Sequence, residues 1–169
     1  MGQSGHCLNR DDQAMERKIV VRRVQQRDEG GCGIACVAMV TGKTYSQTKK
    51  FFLERVFLPT DRKPYTRHYQ LRRGLRKLRI ATEKRAFRKW RSIESLSIVP
   101  INRRQDGGWH WVVFVPNGAR PYILDPAFGK RRRRYDFRGV KARGLYIVVS
   151  MSKRSNPKVG LKEERDGHL

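Results

Sequence analysis

The sequence predicts an α+β domain, with helices in its first half and an antiparallel sheet in its second. Three observations carry this. Residues 34–40 (IACVAMV) form an unbroken apolar run, entered from a glycine turn and followed by Gly42, as in a buried helix with glycine at its C-cap. Leu71, Leu75 and Leu78 fall at i, i+4 and i+7, the spacing of one helix face. Beyond residue 96 the apolar residues come in short runs rich in Val, Ile and aromatics, punctuated by Pro, Gly and Asn, which is the pattern of strands. Helices first and strands later is an α+β layout.

Taken in order, residues 18–24 (KIVVRRV) read as a short strand, and the cluster Gly30-Gly31-Cys32-Gly33 reads as a turn. The run 34–40 has the length of a strand as well as of a short helix, and its Ala and Met content favours the helix. Residues 46–53 (SQTKKFFL) read as a second helix with Ser46 as N-cap. Residues 59–70, which hold Pro59, Asp61 and Pro64, read as a loop. A third helix carries the three leucines, and Gly74 weakens it without forbidding it. Residues 80–87 then allow a strand. Four more strands are expected at 97–102, 109–115, 121–124 and 145–150, with Asn117-Gly118 as the turn between the second and third of these. The expected organisation is a mobile arm at 1–17, one domain at 18–152 and a basic polar tail at 153–169.

Composition narrows the function classes. The chain of 169 residues can bury a core without staples, and no apolar run approaches the roughly 18 residues of a membrane span. The start, MGQSGHCLNRDD, lacks the apolar centre of a secretory signal, and His6 breaks the myristoylation pattern, so the expected location is the cytoplasm. Three cysteines, Cys7, Cys32 and Cys36, argue against a disulfide framework. The net charge of +24, from 39 Lys and Arg against 15 Asp and Glu, implies attraction to an anionic partner: a nucleic acid, an acidic protein or an anionic membrane surface.

Cys32 is the candidate nucleophile. It stands where a glycine turn enters an apolar helix, and the positive end of a helix dipole favours thiolate over thiol. Gly31 and Gly33 would leave room for a substrate backbone. Of the four histidines, His6 and His168 lie in the expected arms and His68 in a basic loop. His110 lies in the run WHWVVFV, where a strand would fix it as a base. Asp125 ends the next strand, so a hairpin would bring it beside His110 as the orienter of the imidazole. Gln26, six residues before Cys32, can fold back so that its amide joins the Cys32 backbone N–H as an oxyanion hole. Arg131, Arg132, Arg133 and Arg134 follow the Asp125 loop and are candidates for binding an acidic substrate or an anionic partner.

Gln26…Asp28-Glu29-Gly30-Gly31-Cys32-Gly33-Ile34-Ala35-Cys36 resembles the opening motif of the double-glycine leader peptidase domains on bacteriocin-exporting ABC transporters, of which free-standing relatives exist. The likeness continues at Trp109-His110-Trp111-Val112-Val113 and at Ile123-Leu124-Asp125-Pro126-Ala127-Phe128-Gly129, spanning roughly residues 20–150. It implies a papain-like cysteine peptidase: a helical lobe carrying Cys32, an antiparallel sheet lobe carrying His110 and Asp125, Gln26 at the oxyanion hole, a peptide or protein substrate, and no cofactor or metal. Gly31 departs from the Asp that commonly precedes the cysteine in that family, and the basic surface is not a family trait.

Blander readings stand beside these. Cys32 alone could be a buried structural thiol, Cys32 and Cys36 with a histidine could hold zinc, and the basic runs could be solvated surface. Trp109 and Trp111 suit a core or cleft wall. The same triad would also serve a deamidase, a transglutaminase-like enzyme or an isopeptidase acting on a partner protein. A catalytically inert nucleic-acid binder on the same scaffold is the other alternative.

Overall fold

In the computed structural model, which describes residues 20–59, 65–105 and 107–150, the apolar run after the glycine turn is helix α1 (Cys32–Thr41), and every residue from Cys32 to Val40 is buried. A helix surrounded on all sides needs no amphipathic stripe, which is why its sequence shows none. Gly42 closes it in the left-handed conformation, φ +70°. Helix α2 (Tyr45–Arg55) starts two residues earlier than Ser46 as N-cap would place it. Its N-cap is Thr44, whose hydroxyl accepts from the Gln47 N–H at 3.2 Å while the Gln47 carboxamide oxygen accepts from the Thr44 N–H at 3.0 Å. That reciprocal pair satisfies two helix-end donors where Ser46 alone would satisfy one.

Helix α3 (His68–Lys77) carries the expected leucine face. Leu71 and Leu75 are fully buried, while Leu78 sits half-buried at the C-cap. Gly74 has a packing reason: a β-carbon there would stand 2.5 Å from the ring of Phe52 on α2. The glycine lets the two helices approach.

The sheet contains β1 (Ala81–Ala86), β2 (Ser97–Ile101), β3 (His110–Val115), β4 (Tyr122–Leu124) and β5 (Leu145–Ser150), in the order β1-β5-β2-β3-β4 with every pairing antiparallel. Alternate residues face opposite sides. Ile98, Trp111, Val113, Leu124 and Ile147 pack with α1 and α3, while Val99, Val112, Phe114, Ile123 and Val148 pack under Phe87, Trp90 and Phe137. Both faces of the central strands are therefore covered, which explains runs such as 111–115 without polar alternation.

The expected strand at 18–24 does not form over its described part. Residues 20–24 join no ladder. Arg23 donates instead from Nε to the Asp125 carbonyl at 2.6 Å and from its terminal nitrogen to the Ala127 carbonyl at 2.5 Å, and the Gln26 N–H donates to the Pro126 carbonyl at 2.9 Å. The segment is a strap across the end of β4. The arm at 1–17 and the tail at 153–169 lie outside the described residues.

Candidate active site

The β3–β4 hairpin sets the first pair. Its register, Val115 opposite Tyr122 and Val113 opposite Leu124, brings the start of β3 beside the end of β4. The connection holds Gly118 at φ +52°, with the Arg120 N–H donating to the Asn117 carbonyl, so the Asn-Gly turn signal is used. His110 Nε2 lies 2.7 Å from Asp125 Oδ1. An ionised carboxylate only accepts, so Nε2 carries the proton; Cys32 is the other side chain that acts on the ring. The Ala127 N–H also donates to Asp125 Oδ1, at 2.9 Å, and fixes the carboxylate from the far side.

The electrostatics follow from these contacts. Burial opposes the charge on His110, but the bonds to Asp125 and Cys32, with the charges of both, outweigh it and raise the imidazole from 6.5 to about 9. Burial likewise opposes ionisation of Asp125. The bonds from His110 and the Ala127 amide, with the charges of His110 and Lys130, hold that carboxyl below its ordinary value. Cys36, fully buried on α1, is different: desolvation first, then the charges of Cys32 and Asp125, push its thiol well above the ordinary value. Among the described residues no group of three or more His, Cys, Asp or Glu side chains is placed to hold a metal ion.

Cys32 is the first residue of α1. The N-terminus of that helix has Gly31 as its cap, no capping side chain and no acid in its first turn, so the N-cap residue satisfies none of the first-turn amides. Gln26 precedes it on the strap. Its side-chain nitrogen donates to the Asp28 carbonyl at 3.1 Å, and its carboxamide oxygen is buried without a partner. Two further buried polar atoms lack partners among the described residues, Thr66 Oγ1 and Trp109 Nε1. One belongs to the residue packed on Gly33, the other to the residue before His110.

The glycines flanking Cys32 are filled space rather than open space. A side chain at Gly31 would collide with the Tyr45 hydroxyl, and one at Gly33 with the Thr66 hydroxyl. Tyr45 donates to Asp28 Oδ2 at 2.8 Å, and Lys49 pairs with the same oxygen at 2.9 Å. Those two bonds hold the Asp28 carboxyl below its ordinary value, while burial and then Asp28 push the Tyr45 hydroxyl up. The Asp28 carbonyl in turn accepts from the Gly31 N–H at 3.1 Å as well as from Gln26. Asp28, Tyr45 and Lys49 thus shape the turn before Cys32, although only tertiary contact reveals them.

The arginine run divides. Arg134 exchanges backbone hydrogen bonds with Ile123, extending the sheet edge, and its guanidinium donates to the carbonyls of Asp136 and Arg138 at 2.6 Å each. Arg133 lies over the Tyr122 ring at 4.9 Å. Arg131 and Arg132 are exposed. The cation whose charge reaches Asp125 is Lys130, just before the run.

No family model and no curated protein matches the chain. Solved structures do resemble it, two peptidase domains among them. One is the peptidase domain of Streptococcus ComA, described as a bi-functional ABC transporter involved in a quorum sensing pathway. It is 20% identical with a TM-score of 0.58, over 78% of this chain and 98% of that one. The other is a double glycine motif protease from an AMS/PCAT transporter, in complex with the leader peptide, 16% identical with a TM-score of 0.56 over 80% and 94%. The chain has the fold of a papain-like double-glycine peptidase domain. The layout drawn from the sequence, a helical lobe followed by an antiparallel sheet lobe, is the layout of this fold. No helix among the described residues is long and apolar enough to cross a membrane.

Proposed function

We propose that this protein is a thiol peptidase in which Cys32 is the nucleophile, His110 the base and Asp125 the residue that orients the base. The observation that carries the reading is the His110 imidazole held by Asp125 at 2.7 Å, with the Cys32 thiol as the second side chain that favours its charge. An imidazole raised to about 9 is a cation at neutral pH and favours a thiolate beside it. The thiolate attacks the carbonyl carbon of a peptide bond, and the Cys32 amide receives the oxyanion together with the second N–H of Gln26 Nε2, whose first goes to the Asp28 carbonyl. His110 gives its proton to the leaving amine, and water, deprotonated by His110, hydrolyses the thioester. The likeness to a protease seen with a leader peptide supports a peptide as substrate. Arg131 and Arg132, exposed on the loop after Asp125, would favour acidic residues in it.

The test is labelling by an electrophilic thiol probe in the full chain, Cys32→Ala and His110→Ala, with the labelled residue located by mass spectrometry. Cys32 should react quickly, His110→Ala should slow it at least tenfold, and Cys36 should stay unlabelled. Labelling at Cys36 or Cys7 in preference to Cys32, or equal rates in all three proteins, would sink the reading. Incubation with a peptide then separates peptide-bond cleavage from mere loss of a side-chain amide, the mark of a deamidase.

A further inference from the structure

The strongest charge concentration begins beside this site, where Thr66 packs on Gly33, and runs along α3 and β1. Between residues 65 and 92 stand eleven Lys and Arg and a single acid, Glu83. Glu83 is taken by Arg85, at 2.8 Å, on the opposite side of β1 from Thr82. Elsewhere on the surface cations do find acids: Lys49 with Asp28, Lys50 with Glu54, Arg138 with Asp136. A surface serving only solubility intersperses both signs, and this one does not.

The fold gathers these cations onto one face. On α3, Leu71, Gly74 and Leu75 point into the core, which leaves Tyr69, Arg73, Arg76 and Lys77 exposed. The Arg72 Nε donates to Thr82 Oγ1 at 3.2 Å and fastens the helix to β1. Lys84 shares the Thr82 side of that strand. It lies close enough to His68, at the start of α3, to add its charge to the burial that lowers this imidazole, against the bond to the Leu145 carbonyl. Because β1 is the edge of the sheet, no further strand covers this face among the described residues.

We propose that the face formed by α3 and β1 binds the phosphate backbone of a single-stranded nucleic acid. Arg is the commoner cation here, and its planar fork matches phosphate oxygens. Tyr69, 57% exposed, lies at i, i+4 and i+7 with Arg73 and Arg76, so an aromatic ring stands in line with the cations as a surface for a base. A membrane surface fits less well, since the apolar side of α3 is spent on the core and none is left to enter lipid. β1 lies at the opposite edge of the sheet from β4, while the start of α3 adjoins the proposed cleft through His68, whose ring meets that of Trp111 at 4.7 Å.

The experiment is fluorescence anisotropy of a labelled single-stranded oligonucleotide with the full chain, at several salt concentrations. If Arg73, Arg76, Lys77 and Lys84 each neutralise one phosphate, affinity falls about 50-fold between 50 and 200 mM salt through these four alone. The variant R73Q/R76Q/K77Q/K84Q should lose that part of the salt dependence and keep its melting temperature, because all four side chains are exposed. R131Q/R132Q, with two charges removed beside the other edge, should bind as the wild type does. Tyr69→Ala should weaken binding without changing the salt slope. Should the quadruple variant prove unfolded, R73Q/R76Q, which removes half of the expected salt dependence, decides in its place. Unchanged binding in the charge variants would overturn the proposal. So would polyglutamate, or phosphatidylserine vesicles, bound as tightly through the same four residues.

Discussion

Replacing Asp125 by Asn tests the electrostatics of the site most directly. Asn can still accept a hydrogen bond from His110 Nε2, so the change removes a charge and keeps the contact. The imidazole stands at about 9 against an ordinary 6.5. Its folded value lies above its unfolded one, so the stabilisation is complete below pH 6.5 and is lost as pH climbs through 9. The whole effect is about 3 kcal/mol, and it is shared between Asp125 and Cys32. Both side chains are mostly shielded, His110 being 25% and Asp125 14% exposed, so solvent screening takes little from it. Loss of the carboxylate charge should lower the His110 midpoint by roughly one pH unit or more, and should remove at least about 1.4 kcal/mol from the stability difference between pH 6.5 and 9. The assay is urea denaturation at a series of pH values, beside an NMR titration of the His110 ring. If the variant shows the wild-type midpoint and the same dependence of stability on pH, Asp125 is not what holds the charge on His110. The alkaline limb of thiol-probe labelling should move in the same direction.

Two packing predictions follow from the glycines. Gly74→Ala gains about 1 kcal/mol of helix propensity but drives a methyl into the Phe52 ring, an overpacking cost of about 1–3 kcal/mol, so chemical denaturation should show no gain and most plainly a loss. A stabilised Gly74→Ala would mean that α2 and α3 do not meet there. Gly31→Ala should destabilise the chain through the Tyr45 hydroxyl, and should cost less in a Tyr45→Phe background, with a coupling of about 0.5–3 kcal/mol in the double-mutant cycle. Equal cost in both backgrounds would separate Gly31 from Tyr45.

The parts of this molecule that local chemistry decides were legible in its sequence. The glycine turn, the apolar run, the leucine spacing and the Asn-Gly hairpin each state their own conformation, and the hairpin alone brings His110 and Asp125 together. What escaped is what depends on a distant neighbour. The β-branched residues of KIVVRRV suit a strand, yet the carbonyls at 125 and 127 offer the Arg23 guanidinium a better use for the segment, and no local pattern announces them. Gly31 and Gly33 read as open ground for a substrate because the hydroxyls that fill them come from Tyr45 and Thr66. One miss is local: Ser46 yields its capping role to Thr44 because Gln47, three residues after Thr44, is the reciprocal partner, a spacing the sequence already shows. The basic runs show their sign in the sequence but not their grouping. The run at 131–134 is partly consumed by its own loop, and the open face is assembled from a helix and an edge strand.

The strap at residues 23–26 has a bearing on how the proposed cleft is paid for in entropy. Cys32 and Asp125 come from segments about ninety residues apart, yet the chain leading to the first is tied at three points to the carbonyls around the second. Their meeting is settled when the chain folds, before any ligand arrives. Binding then need not gather the two halves of the site, and its free energy is left for the difference between ground state and transition state.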